Sequence, residues 1–106
     1  MDSNKLARQF IDYFCKADID SIESLLADRF ILKGPLFEFS SRQEYIDSLV
    51  DNLEADPKAV TLSVVSDGNE AAAFFIYNGN TIGQLFRCEA GKIVETILVF
   101  DTQRVT

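Results

Sequence analysis

The second half of this chain constrains the fold most. Residues 60–65, 71–77, 81–88 and 93–100 are apolar, β-branched or aromatic runs. Short turns at Asp67-Gly68-Asn69, Asn78-Gly79-Asn80 and Glu89-Ala90-Gly91-Lys92 separate them. Loops that short join antiparallel strands, and Asn-Gly is a strong hairpin signal. The runs 71–77 and 93–100 are apolar at successive positions, whereas a sheet with one wet face alternates. Such a sheet needs two covers. Helices can supply one, and a second copy of the chain is expected to supply the other, giving a homodimer through the sheet. The alternative is a monomer with a greasy sheet face.

The first half reads as helix. Leu6, Phe10, Tyr13, Phe14 and Ala17 form a stripe at helical spacing, with Asp12 and Lys16 four apart on the outer face. Asp18 suits the cap of a short second helix that buries Ile19, Ile22, Leu25 and Leu26. A strand containing Phe30-Ile31-Leu32 is broken by Gly34-Pro35. Ser41-Arg42-Gln43-Glu44 is a capping box. It opens a third helix with Tyr45, Ile46, Leu49, Val50 and Leu53 inward, and Pro57 ends the helical half. Helices first and an antiparallel sheet afterwards is the α+β class. No linker or repeat divides the chain, so one domain over 1–106 is expected.

Composition removes several chemistries. The chain has no histidine, so Ser-His and Cys-His nucleophile pairs and imidazole metal sites are absent. Cys15 and Cys88 are its only cysteines, and isolated cysteines usually act as small hydrophobes. No metal and no cofactor are expected. Seventeen acidic against ten basic residues give a net charge of −7, which a phosphate backbone repels; nucleic acid is not expected as a partner. No run approaches the roughly 18 apolar residues of a membrane span. The opening Met1-Asp2-Ser3-Asn4 shows no signal-peptide pattern. With two unpaired thiols, a cytoplasmic location is expected.

The order of the segments carries a resemblance. The first helix runs into Ala17-Asp18-Ile19-Asp20-Ser21-Ile22-Glu23-Ser24-Leu25-Leu26-Ala27-Asp28. A strand ending at Gly34-Pro35 follows, then Ser41-Arg42-Gln43-Glu44-Tyr45-Ile46, and finally Phe86-Arg87-Cys88-Glu89-Ala90-Gly91-Lys92-Ile93-Val94-Glu95. This order resembles the nuclear transport factor 2-like superfamily, and within it the SnoaL-like and ketosteroid isomerase-like proteins of cystatin-like fold. The resemblance implies a curved antiparallel sheet wrapped around the N-terminal helices, a cone-shaped α+β barrel enclosing an apolar pocket, and dimerisation through the sheet.

Isomerase chemistry in that superfamily uses a carboxylate base and an oxyanion hole of a tyrosine and a protonated aspartic acid. The resemblance places the tyrosine at Phe10, the base at Gly34 and the second acid at Gln84, so all three groups are replaced. Tyr13 is the best polar remnant. Related dehydratases lean on histidine, which is absent here. Among the carboxylates, Glu38 between Phe37 and Phe39 is placed to reach a pocket mouth. Glu95, on the opposite strand face from Thr96, suits a paired charge at the sheet interface.

Strand alternation assigns the pocket walls. Val94, Thr96, Leu98 and Phe100 share one face, as do Gln84, Phe86 and Cys88, and Ala71, Ala73, Phe75 and Tyr77. In the cone that the resemblance implies, these rows join residues of the helices and first strand, and Phe10, Tyr13, Phe14, Leu32, Phe37, Tyr45, Leu49, Phe75, Tyr77, Gln84, Phe86, Thr96, Leu98 and Phe100 are the candidate ligand-binding residues. Apolar walls with a few polar points describe a small-molecule site. The alternative is that these side chains fill the core. The expected function is binding of a small apolar molecule in the cone without isomerase chemistry. The alternatives are an isomerase, cyclase or hydrolase using an unrecognised carboxylate, and a dimeric protein-interaction module, since fold alone does not set function.

Overall fold

The structure, a computed structural model, describes residues 2–102. Helix α1 (Ser3–Lys16) is capped by the Asp2 carboxylate, which accepts from the Lys5 N–H, and it ends where Ala17 turns left-handed at φ 57°. Helix α2 (Ile19–Leu25) starts at Asp18, whose carboxylate accepts from the Ser21 N–H. Strand β1 (Leu26–Lys33) and the two-residue β2 (Glu38–Phe39) follow. Helix α3 (Arg42–Asn52) is capped by Ser41, and the Glu44 carboxylate reaches back to the Ser40 N–H. Four long strands complete the chain: β3 (Val60–Asp67), β4 (Glu70–Tyr77), β5 (Asn80–Glu89) and β6 (Lys92–Phe100).

One six-stranded sheet results, in the order β2-β1-β6-β5-β4-β3. The three hairpin pairings are antiparallel, with Tyr77 opposite Asn80 across the Asn78-Gly79 turn. The α+β class and the sheet wrapped on the N-terminal helices are as expected, and the cone-shaped antiparallel barrel is corrected in two details. β1 runs parallel to β6, because the chain leaves β1 through α3 and the antiparallel meander before it returns. The sheet also stays open, with β2 and β3 as its free edges. Helices α1 and α3 occupy the inner face between those edges.

Helix α1 lies across the inner face of β3, β4 and β5, while α3 lies over β1. Ala7, Phe10 and Ile11 meet Ala71, Ala73, Phe75, Phe86 and Cys88 in the core. The Ser3 hydroxyl bonds the carbonyls of Gly68 and Glu70, anchoring the start of α1 to the β3–β4 turn. Two orientations differ from the sequence expectation. Val50 is exposed. The buried arc of α3 runs from Tyr45 to Ile46, about 100° at 3.6 residues per turn, and Val50 lies about 40° beyond its edge. Val94 does not share the inward row, because the β5–β6 register shifts between Arg87 and Cys88. Cys88 pairs with Ile93, which is buried, and Val94 is the extra residue of a bulge.

The outer face carries a row of charges at one end. The Arg87 guanidinium bonds Glu70 and Glu95 at 2.8 Å each, and Lys33 reaches Glu95 at 3.4 Å. Glu95 is therefore a paired charge on the outer face. The Arg87 hydrogen bond holds its carboxyl below the ordinary glutamate range. A carboxylate with a lowered native pKa stabilises the fold above its unfolded value, and that contribution disappears as pH falls through the native value. Glu95→Gln is expected to lower the urea midpoint at pH 7 and to narrow the gap from the parent chain towards pH 3. A gap that is constant with pH would mean that the ion pairs contribute nothing.

Candidate functional site

A cleft of about 430 Å³ opens between α3, β2, the end of α1 and the ends of β4 and β6. Its walls are Phe14, Phe37, Phe39, Tyr45, Leu49, Leu53 and Leu98, and its polar points are Ser48, Asn52 and Tyr77. A second lobe of about 420 Å³ adjoins it, lined by Leu36, Phe37, Tyr77, Asn78, Asn80, Ile82 and Phe100. Phe37 and Tyr77 line both lobes.

Local sequence explains how the walls stand. The Asn78-Gly79 turn ends β4 at Tyr77 and projects it over α1, where its ring meets Phe14 edge-on at 5.1 Å. The Tyr77 hydroxyl donates to the Glu54 carbonyl. The segment after α3 is strapped down by Asp56: its N–H donates to the Cys15 carbonyl, and its carboxylate accepts the N–H groups of Lys58 and Asn78. On the other side the turn after β1 closes when the Gly34 N–H donates to the Phe37 carbonyl at 2.9 Å. Phe37 then packs on Phe39 at 5.6 Å and Phe100 at 6.3 Å, and Phe39 packs on Tyr45 at 5.6 Å. Burial pushes the phenols of Tyr45 and Tyr77 above their ordinary range, so both are neutral hydrogen-bonding groups at physiological pH.

Of the residues singled out in the sequence, Phe14, Phe37, Tyr45, Leu49, Tyr77 and Leu98 line the first lobe, and Phe100 lines the second. Phe10, Leu32, Phe75, Gln84, Phe86 and Thr96 lie beneath, fully packed in the core. Phe10 meets Phe86 edge-on at 5.2 Å, and Phe14 meets Phe75 at 6.4 Å. Tyr13 is half-buried beside them and lines neither lobe. Gln84 and Thr96 are each other's partners, with the amide donating to the hydroxyl at 2.7 Å.

At the three positions that the resemblance gives for isomerase groups, Phe10 and Gln84 are core, and Gly34 lies behind the lining residues Phe37 and Leu98. A Cβ at Gly34 would lie 3.3 Å from the Phe37 carbonyl and 3.7 Å from the Leu98 side chain. Glu38 is exposed and lines neither lobe. No carboxylate lines either lobe among the described residues. Phe39, Ser48, Asn52 and Leu53 were not singled out by alternation. Ser48 and Asn52, four apart, share the flank of α3 next to Tyr45, and a helical wheel would have found them.

A surface groove of about 410 Å³ also runs past Arg29, Glu89, Lys92 and Val94. Its cations are engaged: Arg29 pairs with Glu89, and Lys92 donates to the Ser24 carbonyl. The aromatic cleft is the better candidate site.

Similarity of structure is extensive. An NTF2-like protein of unknown function from Cytophaga hutchinsonii matches with a TM-score of 0.83 at 18% identity, covering 99% of this chain and 95% of that one. This chain has the NTF2-like fold. A SnoaL-like protein of unknown function from Burkholderia thailandensis matches this chain at TM-score 0.75 and 15% identity, over 93% of each. An LEH-like epoxide hydrolase of M. tuberculosis matches at TM-score 0.74 and 13% identity, over 95% of this chain and 84% of that one. No family model and no curated protein matches the sequence. The likeness is therefore one of fold.

Proposed function

We propose that this NTF2-like protein binds a small, predominantly apolar molecule in the cleft, without isomerase chemistry. The observation that carries the proposal is the cleft itself. It is a lobe of about 430 Å³ with aromatic and aliphatic walls and three uncharged polar points, within the size range of small-molecule sites, roughly 300–1,000 Å³. An isomerase, cyclase or hydrolase working through a carboxylate needs that group facing the ligand, and the described lining holds none. Native mass spectrometry of the protein as purified tests the proposal. The expected spectrum shows an added mass of a few hundred daltons per chain, reduced by Leu98→Arg. A parent chain that carries no ligand and takes up no apolar compound would overturn it.

The same reading includes a homodimer through the outer sheet face. Val65, Phe74 and Val99 are exposed there, and charged groups cluster at only one end. A cytoplasmic location goes with it, since Cys15 and Cys88 are both free. No helix among the described residues is long and apolar enough to cross a membrane.

A further inference from the structure

We infer that the two lobes take one elongated, uncharged ligand, which passes a waist formed by Phe37 and Tyr77. The inference rests on the reading of the cleft as a binding site and adds the ligand's charge and shape.

Shape follows from the shared residues. Each lobe is a little over 400 Å³, and the Phe37 and Tyr77 rings line both. Tyr77 is held by the Glu54 carbonyl and by Phe14, so it forms the fixed side of the waist. Phe37 is 41% exposed and touches Phe39 on one side and Phe100 on the other. It lines both lobes from the short turn after β1, so a larger ring there would narrow the passage between them.

Charge follows from what the lining lacks. A quarter of the chain is charged, yet no Asp, Glu, Lys or Arg lines either lobe among the described residues. Asp56, at the nearby strap, spends its carboxylate on two backbone N–H groups. A charged ligand group between apolar walls would lose water and gain no counter-ion, which is costly. A hydroxyl, ketone or ester is different. Uncharged polar side chains stand in both lobes, Ser48 and Asn52 in one, Asn78 and Asn80 in the other. The ligand class is thus a long apolar body with neutral oxygen functions.

Displacement of the neutral fluorophore N-phenyl-1-naphthylamine tests this. The competitors are decan-1-ol, decanoate and decyltrimethylammonium, which share one chain and differ in head charge. Decan-1-ol is expected to displace the probe at a concentration at least tenfold lower than either ion. From hexan-1-ol to decan-1-ol the affinity is expected to rise about fourfold per methylene, the gain for continued burial of a chain. Phe37→Trp is expected to stop that rise beyond the shorter alcohols, because a larger ring narrows the waist. Equal or tighter displacement by an ion overturns the neutral class. A rise that already stops at six carbons in the parent chain, or one that Phe37→Trp leaves intact, overturns the single two-lobed site. Failure of the parent chain to bind the probe and every competitor would sink the underlying binding-site reading instead.

Discussion

Replacing Phe86 by alanine is expected to lower the free energy of unfolding by about 3–5 kcal/mol, the usual range for a buried phenylalanine. The ring is fully buried and meets Phe10 edge-on at 5.2 Å. Its lateral neighbours on the sheet are Ala71 on β4 and Thr96 on β6. Neither can swing in to fill the space. Alanine is too short, and the Thr96 hydroxyl is held by Gln84. Helix α1 cannot easily settle inward, because Ser3 ties its start to the β3–β4 turn and the Asp56 N–H ties its end through the Cys15 carbonyl. The void therefore persists, and the cost belongs at the upper end of the range. Against a total stability of about 5–15 kcal/mol for a domain, this change removes a large fraction. Urea denaturation at matched protein concentration reads it as a lowered midpoint with an unchanged slope. A loss below about 1.5 kcal/mol, with altered ligand binding, would mean that Phe86 walls an open cavity instead of filling the core.

The distinction between core and wall marks where the sequence stops being informative. Local periodicity is strong, so the four long strands, their turns, the Asp18 cap and the Ser41–Glu44 capping box are all legible from residue order. Alternation also tells which face a strand residue takes. It does not tell how deep in the sheet the residue lies. Phe75 and Tyr77 share a face of β4, yet Phe75 is core and Tyr77 stands at the cleft. Taken singly, Gln84 and Thr96 are polar points on a pocket wall. Across the β5–β6 ladder they are close enough to satisfy one another, which lets both lie in a packed interior. The parallel pairing of β1 with β6 joins segments more than sixty residues apart, beyond any local pattern. The bulge that turns Val94 away depends on a one-residue register shift that apolar composition cannot reveal, since Ile93 and Val94 are equally apolar. The lining of the cleft by Ser48 and Asn52 was within reach, because it needs only the helical wheel of α3.

For the dimer proposed through the outer sheet face, of about 24 kDa or twice the 11.9 kDa chain, Phe74→Arg is expected to give a monomer while leaving the fold intact. The outer face explains why this residue decides. Phe74 pairs with Gly83, and Gly83 pairs with Val99. A Cβ at Gly83 would lie only 2.8 Å from Val99 and 3.0 Å from the Phe74 ring. The missing side chain thus lets Phe74 lie across β5 towards Val99, making one continuous apolar surface over three strands. The next row adds Val65, Ala72, Leu85 and Ile97, and the Glu70–Arg87–Glu95 ion pairs bound the surface beyond it. Phe74 is 50% and Val99 58% exposed in the single chain, so the isolated fold gains little from either ring or methyls. A second copy would cover both. In a two-fold pairing an arginine at position 74 enters the interface twice, placing like charges in an apolar contact at a cost of several kcal/mol. At about 1.4 kcal/mol per tenfold, about 3 kcal/mol weakens the dimer more than a hundredfold. Light scattering at micromolar concentration measures the mass, and far-ultraviolet circular dichroism shows whether the variant stays folded. A parent mass of about 12 kDa would remove the second copy as the cover of this face. A folded variant that still weighs about 24 kDa would move the interface elsewhere on the molecule.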